Sequence, residues 1–198
     1  MIYAPQKKLT TEEIASAIIF VNKMGKLSDE ALLKRDLQFG EAQKVNHFLS
    51  AVHEQQSNLL PEQAVTLMRL LPVLVTKGSQ TVHAVILAMG PVVKQMYEQT
   101  TELDEKRRLA GVMKTSGMIC VGRRLASTSH ESRKKELELF ESFIGDTKEY
   151  KDAVARFNKV RYHGIQLIKE PELVARTNPY GTKYPKFIKR EFEKTFPD

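Results

Sequence analysis

Apolar residues recur at three- and four-residue spacing along most of this chain, and no stretch alternates at period two between hairpin signals. That pattern restricts the fold to helices, each buried through one apolar stripe. Local punctuation agrees with the periodicity. Thr10-Thr11-Glu12-Glu13 reads as a capping box, with Thr10 as N-cap and Glu13 reaching back. Ile14, Ile18, Val21 and Met24 then share one face, and Gly25 ends the helix. Ser28 caps a second helix carrying Leu32, Leu33 and Leu37, expected to stop near Gly40. Val45, Phe48, Leu49 and Val52 mark a third.

Residues 61–97 hold the densest apolar content and are expected to form the centre of the core. Pro61 suits the first turn of a fourth helix running through Val65, Leu67, Met68, Leu70, Leu71, Leu74 and Val75 to Gly78. Pro72 predicts a kink or early break within it. The next stretch, Gln80 to Tyr97, is apolar on nearly all sides, with Gly90-Pro91 expected to bend or split it.

Thr101-x-x-Asp104 opens a sixth helix in which Leu109, Val112 and Met113 face one way and Arg107 and Lys114 the other. Gly111, Gly117 and Gly122 either permit close helix contact or break it. Thr128-x-x-Glu131 opens a seventh, with Leu137, Phe140, Phe143 and Ile144 inward and Gly145 as stop. Asp146-x-x-Glu149 opens an eighth whose stripe is Tyr150, Ala153, Val154, Phe157 and Val160, reaching towards Gly164. Pro171 begins a short helix, residues 177–181 form a turn, and Pro185 begins a last helix with Tyr184, Ile188, Phe192 and Phe196 four apart. The reading is all-α, eight to ten helices, in one multi-helix domain over residues 1–176 with a basic aromatic arm over 177–198 packed on it. No repeat at a fixed 20–50-residue period is present.

A single cysteine among 198 residues excludes a disulfide scaffold, and 41% hydrophobic content argues against disorder. Residues 1–8 lack the apolar segment of a secretory leader. The longest apolar run, Val82 to Val93, falls short of the roughly 20 residues a membrane span needs. These features predict an intracellular protein, cytoplasmic or virion-associated, with no transmembrane segment.

Few chemistries find their signature. No two of His47, His53, His83, His130 and His163 stand at i, i+4, and there is no second cysteine, zinc motif or EF-hand loop. Phosphate-binding loops of either glycine-rich type are absent, as is a nucleophile elbow. No metal, no other cofactor and no enzymatic activity are expected. Cys120, among Met118, Ile119 and Val121, reads as a small buried hydrophobe. Glu138 and Glu141, flanked by Lys134 and Lys135, read as a solvated ion-pair face. Leu71 to Met89 has the outline of a helix-turn-helix, with Gln80, Thr81 and His83 where base contacts are made. Its second helix is too apolar for a groove, so an ordinary helical hairpin in the core is the better account.

Charge distribution is the strongest lead. The formal net charge of +7 is net 0 over residues 1–60, −2 over 61–105 and +9 over 106–198. Such asymmetry points to an acidic partner surface. Lys106, Arg107, Arg108, Lys114, Arg123, Arg124, Arg133, Lys134 and Lys135 supply one set of candidate phosphate contacts. Lys183, Lys186, Lys189 and Arg190 supply another, with Lys159 and Arg161 between, and Tyr162, Tyr180 and Tyr184 are placed to stack on bases. The favoured expectation is a non-enzymatic polyanion-binding protein, most of all a sequence-independent nucleic-acid binder. On that reading, reversing Arg123, Arg124, Arg133 and Lys134 to Glu abolishes binding without unfolding. The alternative is a self-associating structural or assembly protein, of matrix, scaffold or adaptor type. It would use the same half against an anionic membrane or an acidic protein, as a homo-oligomer.

Overall fold

The structure, a computed structural model, describes residues 8–54, 57–76, 79–122 and 130–169. Among these the chain forms nine helices and no strand. They are α1 (Thr11–Gly25), α2 (Asp29–Leu33), α3 (Phe39–His53), α4 (Pro61–Arg69), α5 (Leu71–Leu74), α6 (Ser79–Gln99), α7 (Leu103–Gly122), α8 (His130–Ile144) and α9 (Lys148–Lys169). The chain divides into two units, Met1–Ser116 and Gly117–Asp198. The division expected at residue 177, and the arm, turn and helices expected from Pro171 onwards, lie outside the described residues.

Local chemistry explains the starts of the first helices. The Thr10 hydroxyl accepts from the Glu13 amide at 3.2 Å, and the Thr10 amide donates to the Glu13 carboxylate at 2.8 Å. Ser28 accepts from the Ala31 amide at 3.2 Å. Pro61 occupies the first turn of α4, where its missing N–H costs no intrahelical bond. Leu37 is buried as expected but Leu33 is 62% exposed, and α2 ends after five residues. Gly40 therefore stops nothing. It sits in the first turn of α3, which is closed by Gln38 and Glu41: the Gln38 amide donates to the Glu41 carboxylate at 3.1 Å.

In the first unit α1 packs on α3 and α4, and α4 lies along α6, with α3, α5 and α6 completing the layer. Ala64, Val65, Leu67, Met68, Leu70, Leu71 and Leu74 from α4–α5 meet a core that includes Val82, Val85, Ile86, Met89 and Val93 of α6. Each such large side chain contributes about 1.5–3 kcal/mol of burial. Residues 61–97 are thus the centre the periodicity indicates. The Pro72 break falls at Leu70, which closes α4 and opens α5: its amide donates to Thr66 and Leu67, and its carbonyl accepts from Val73 and Leu74. Gly90-Pro91 does not split α6, which runs unbroken through both residues. Nor is α6 buried all round, since Ala84, Ala88, Pro91 and Gln95 form a narrow exposed stripe. Pro91 on that stripe leaves the carbonyl one turn back without its helical donor, on a face that water reaches.

The end of α1 approaches α4 closely. A Cβ at Gly25 would stand 2.8 Å from the Thr66 hydroxyl oxygen. That hydroxyl donates to the Glu62 carbonyl at 2.8 Å, so it is not free to move aside. Gln63, buried in the same contact, donates to Asn22 of α1 at 2.9 Å.

In the second unit α8 packs on α9. Leu137, Phe140 and Ile144 are buried with Tyr150, Ala153 and Phe157. The cap of α9 is Thr147, one residue later than the expected Asp146: its hydroxyl accepts from the Tyr150 amide at 3.2 Å. The helix continues past Gly164 to Lys169. α7 is unbroken through Gly111 and Gly117, but these two glycines differ in setting. A Cβ at Gly111 meets nothing within 4 Å, whereas one at Gly117 would lie 2.9 Å from Ile144 Cδ1 and 3.2 Å from Phe140 Cγ.

Two substitutions separate these settings. Gly111→Ala raises stability by about 0.5–1 kcal/mol, the helix-propensity gain of a new methyl in open space. Gly117→Ala loses that gain to overlap with the Phe140 ring. Thermal unfolding of both variants checks the difference, and equal midpoints would contradict it.

Candidate functional site

The basic clusters read from the sequence divide between the two units, and the fold treats their members differently. Arg123, Arg124, Lys183, Lys186, Lys189 and Arg190 lie outside the described residues, as do the side chains of Arg161 and of Tyr162, Tyr180 and Tyr184. Lys106, Arg107, Arg108 and Lys114 stand on α7 in the first unit; Arg133, Lys134 and Lys135 stand on α8 in the second.

Arg133 corrects the sequence reading. Its side chain is 3% exposed and faces inward against Cys120 and Glu136. Arg133 Nη1 donates to the Cys120 carbonyl at 2.5 Å, to Cys120 Sγ at 3.2 Å and to Glu136 Oε2 at 3.3 Å. The Cys120 thiol donates to Glu136 Oε2 at 3.2 Å. A guanidinium this deep cannot meet a phosphate on a partner, and it is held inside by the Glu136 carboxylate. Arg133→Glu would set two carboxylates against each other in the interior, so the four-residue charge reversal cannot include it without unfolding. Cys120 is buried, as its neighbours imply, but it is a member of this ionic cluster and not a plain hydrophobe.

The neighbouring lysines reach solvent and pair along their own helix. Lys134 meets Glu138 at 3.6 Å and Lys135 meets Glu131 at 2.5 Å. The hydrogen bond and charge of Lys135 hold the Glu131 carboxyl below its usual range. Glu138 thus joins a solvated ion-pair face, as the spacing indicates. Glu141 faces Tyr150, whose phenol is pushed up by burial and by Glu141 and Glu138.

On α7 the cations diverge. Lys106 turns back over the Tyr97 ring, 5.1 Å from its centroid. Arg107 makes one ion pair, with Asp104 at 3.3 Å, and both side chains are largely exposed. Lys114, two turns further on the same helix, is exposed and has no carboxylate partner among the described residues. Arg108 binds Glu105 through Nε and Nη2 at 2.7 Å, and Nη2 also reaches both Glu62 oxygens at 3.0 and 3.2 Å. The Arg108 hydrogen bond is the main reason the Glu105 carboxyl is held below its usual range, and Arg108 is raised in turn.

Arg107 and Arg108 open onto a cleft of about 330 Å³ that the sequence did not disclose. Its wall also includes Arg69 of α4, Asp29 and Leu33 of α2, Met68, Pro72, Gly111, Val112 and Thr115. Arg69 is fixed by long-range partners: Nε donates to Asp29 at 2.6 Å, Nη2 to the Leu27 carbonyl at 2.6 Å and Nη1 to the Gly25 carbonyl at 3.5 Å. These partners lie 40 to 44 residues away in sequence, and the segment around Arg69 is net acidic, so no local signal marks it.

Elsewhere the described residues show no group of side chains able to hold a metal ion and no helix long and apolar enough to cross a membrane. Thr81, one of the polar residues of the helix-turn-helix outline, donates to Asn46 of α3 at 3.1 Å, and α5 before it has only four residues. Comparison with protein-family models, with curated proteins and with solved structures finds no match to this chain.

Two consequences are measurable. Glu136→Ala leaves the Arg133 charge buried without its partner and destabilises by about 3–5 kcal/mol. Replacing both with apolar residues, Arg133→Met with Glu136→Leu, restores most of that loss; urea titration of the three variants checks the ordering. Glu105 binds its proton less readily folded than unfolded. Its contribution is present above the ordinary carboxylate value of 4.5 and is lost as pH falls through the lower folded value. Arg108→Gln accordingly flattens the acid limb of stability below pH 4.5, read by denaturation at a series of pH values.

Proposed function

We propose that this protein is a non-enzymatic polyanion-binding protein whose partner is nucleic acid, engaged without sequence preference. The observation that carries the reading is an acid-free stretch: no Asp or Glu stands between Glu105 and Glu131. In the structure this stretch supplies the exposed face of α7 beyond its first turn. There Arg107 and Lys114 stand on one helix about 10 Å apart along its axis, at 1.5 Å per residue. Between and after them the exposed residues include Arg108, Gly111, Thr115 and Met118, none of which opposes a phosphate. Lys134 and Lys135 add exposed cations in the second unit, but each has a carboxylate one turn away. Their contribution is correspondingly smaller.

Polyanion binding of this kind is driven by counterion release, so affinity falls linearly with salt on logarithmic axes. Sequence independence follows from the side chains on offer. Lysine and arginine on an exposed helix face meet the backbone, while Thr81, one of the polar residues placed to read bases, is held by Asn46 of α3.

Fluorescence anisotropy of a labelled mixed-sequence single-stranded oligonucleotide, titrated across a salt series, tests the reading. Binding weakens steeply with salt, and the slope falls by about one for each phosphate contact removed. Arg107→Glu with Lys114→Glu lowers both affinity and slope, without change in thermal midpoint. Binding that ignores salt and both substitutions would overturn the reading.

A further inference from the structure

The cleft beneath Arg69, Arg107 and Arg108 has a composition that an extended strand does not require. Three guanidinium groups and one carboxylate, Asp29, line it, so its wall carries an excess of positive charge. Its apolar surface is made by Leu33, Met68, Pro72 and Val112. Leu33 is 62% exposed at the mouth, while Met68 is buried at the base. A volume of about 330 Å³ is at the lower end of the roughly 300–1,000 Å³ of small-molecule sites. It admits one compact ligand.

The guanidinium groups are oriented and not consumed. Each carries five N–H donors. Arg69 spends three of them on Asp29 and the carbonyls of Gly25 and Leu27. Arg108 is held by Glu105 and Glu62 through Nε and Nη2, which leaves both donors of Nη1. Arg107 is engaged only by Asp104, in an exposed i, i+3 pair worth little in water. Glu62, Glu105 and Asp104 do not line the cleft. They fix the outer edges of the arginines and place negative charge around the rim. The wall still offers N–H groups to one phosphate.

We propose that this cleft binds a phosphate monoester carried on a compact apolar or planar body, the chemistry of a nucleoside 5′-monophosphate, taken up free or as the 5′ end of a strand. The phosphate bridges Arg107 and Arg108, with Arg69 as third donor group, and the body lies against Leu33, Pro72 and Met68. This site shares Arg107 with the strand-binding face proposed above, but Lys114 belongs to that face alone and does not line the cleft.

Isothermal titration of the full chain with adenosine 5′-monophosphate, adenosine and inorganic phosphate tests it. The monophosphate binds at least tenfold more tightly than either fragment, because only it engages both wall types. Gly111→Leu, whose side chain enters open space at the cleft wall, removes this binding while thermal stability holds or rises. Arg107→Gln weakens it at least tenfold with the fold intact. A monophosphate no tighter than inorganic phosphate, or affinity unmoved by both variants, would overturn the proposal. A second arm compares 5′-phosphorylated with 5′-hydroxyl oligonucleotide. Preference for the phosphorylated end assigns the site to strand ends, and equal affinity beside tight monophosphate binding assigns it to free nucleotide. Lys114→Glu weakens the 5′-hydroxyl strand and leaves monophosphate affinity alone. Loss of monophosphate binding with salt-dependent strand binding retained therefore defeats this inference only, and the converse defeats the strand-binding reading only.

Discussion

Arg69 ties the first unit together where its function is proposed to lie. One side chain on α4 satisfies the carbonyls of Gly25 and Leu27 at the end of α1 and pairs with Asp29 at the start of α2. Without it the α1–α2 connection would present carbonyl groups with no donor beside a buried helix. The same constraint gives the cleft its shape, because it seats α2, and with it Leu33, next to Arg107 and Arg108 of α7. The close approach at Gly25 and the Asn22–Gln63 bond belong to the same seam. Packing, capping and the candidate anion site thus share one residue.

Much of the fold was readable from local chemistry. Thr10, Ser28 and Pro61 open helices where cap and proline rules place them, because those signals act within one turn. The helix period located the core at residues 61–97 because burial is set by which face each side chain occupies. Where two local signals competed, the sequence misled. Gly40 resembles a stop, but Gln38 and Glu41 build a helix start across it. Asp146 and Thr147 both cap well, and the hydroxyl of Thr147 is the one aligned with the Tyr150 amide. Three glycines in α7 left its continuity open; the helix runs from Leu103 to Gly122, and at Gly117 it leaves no room for a Cβ beside Ile144 and Phe140.

The candidate site was less legible, for a reason that charge counting conceals. A net charge is a sum over side chains, whereas a partner meets only those that reach the surface unopposed. Arg133 adds to the basic total yet is spent inside on Glu136. Lys134 and Lys135 are offset along their own helix, and Arg108 is offset across to Glu62 on α4. Arg69 lies in the least basic segment and is nonetheless brought to the cleft by partners 40 residues away. On α7 the positive surface left unopposed is the short row after Glu105, and the absence of acid from residues 106–130 is the sequence signal that marks it.

The most direct test is a backbone amide chemical-shift map of the protein during titration with a single-stranded oligonucleotide. Binding as described here moves the amides of α7 from Arg107 to Met118 first, with movements that fade as salt is raised. Shifts confined to α1, α3 or the exposed stripe of α6, with α7 unmoved at saturation, would contradict it.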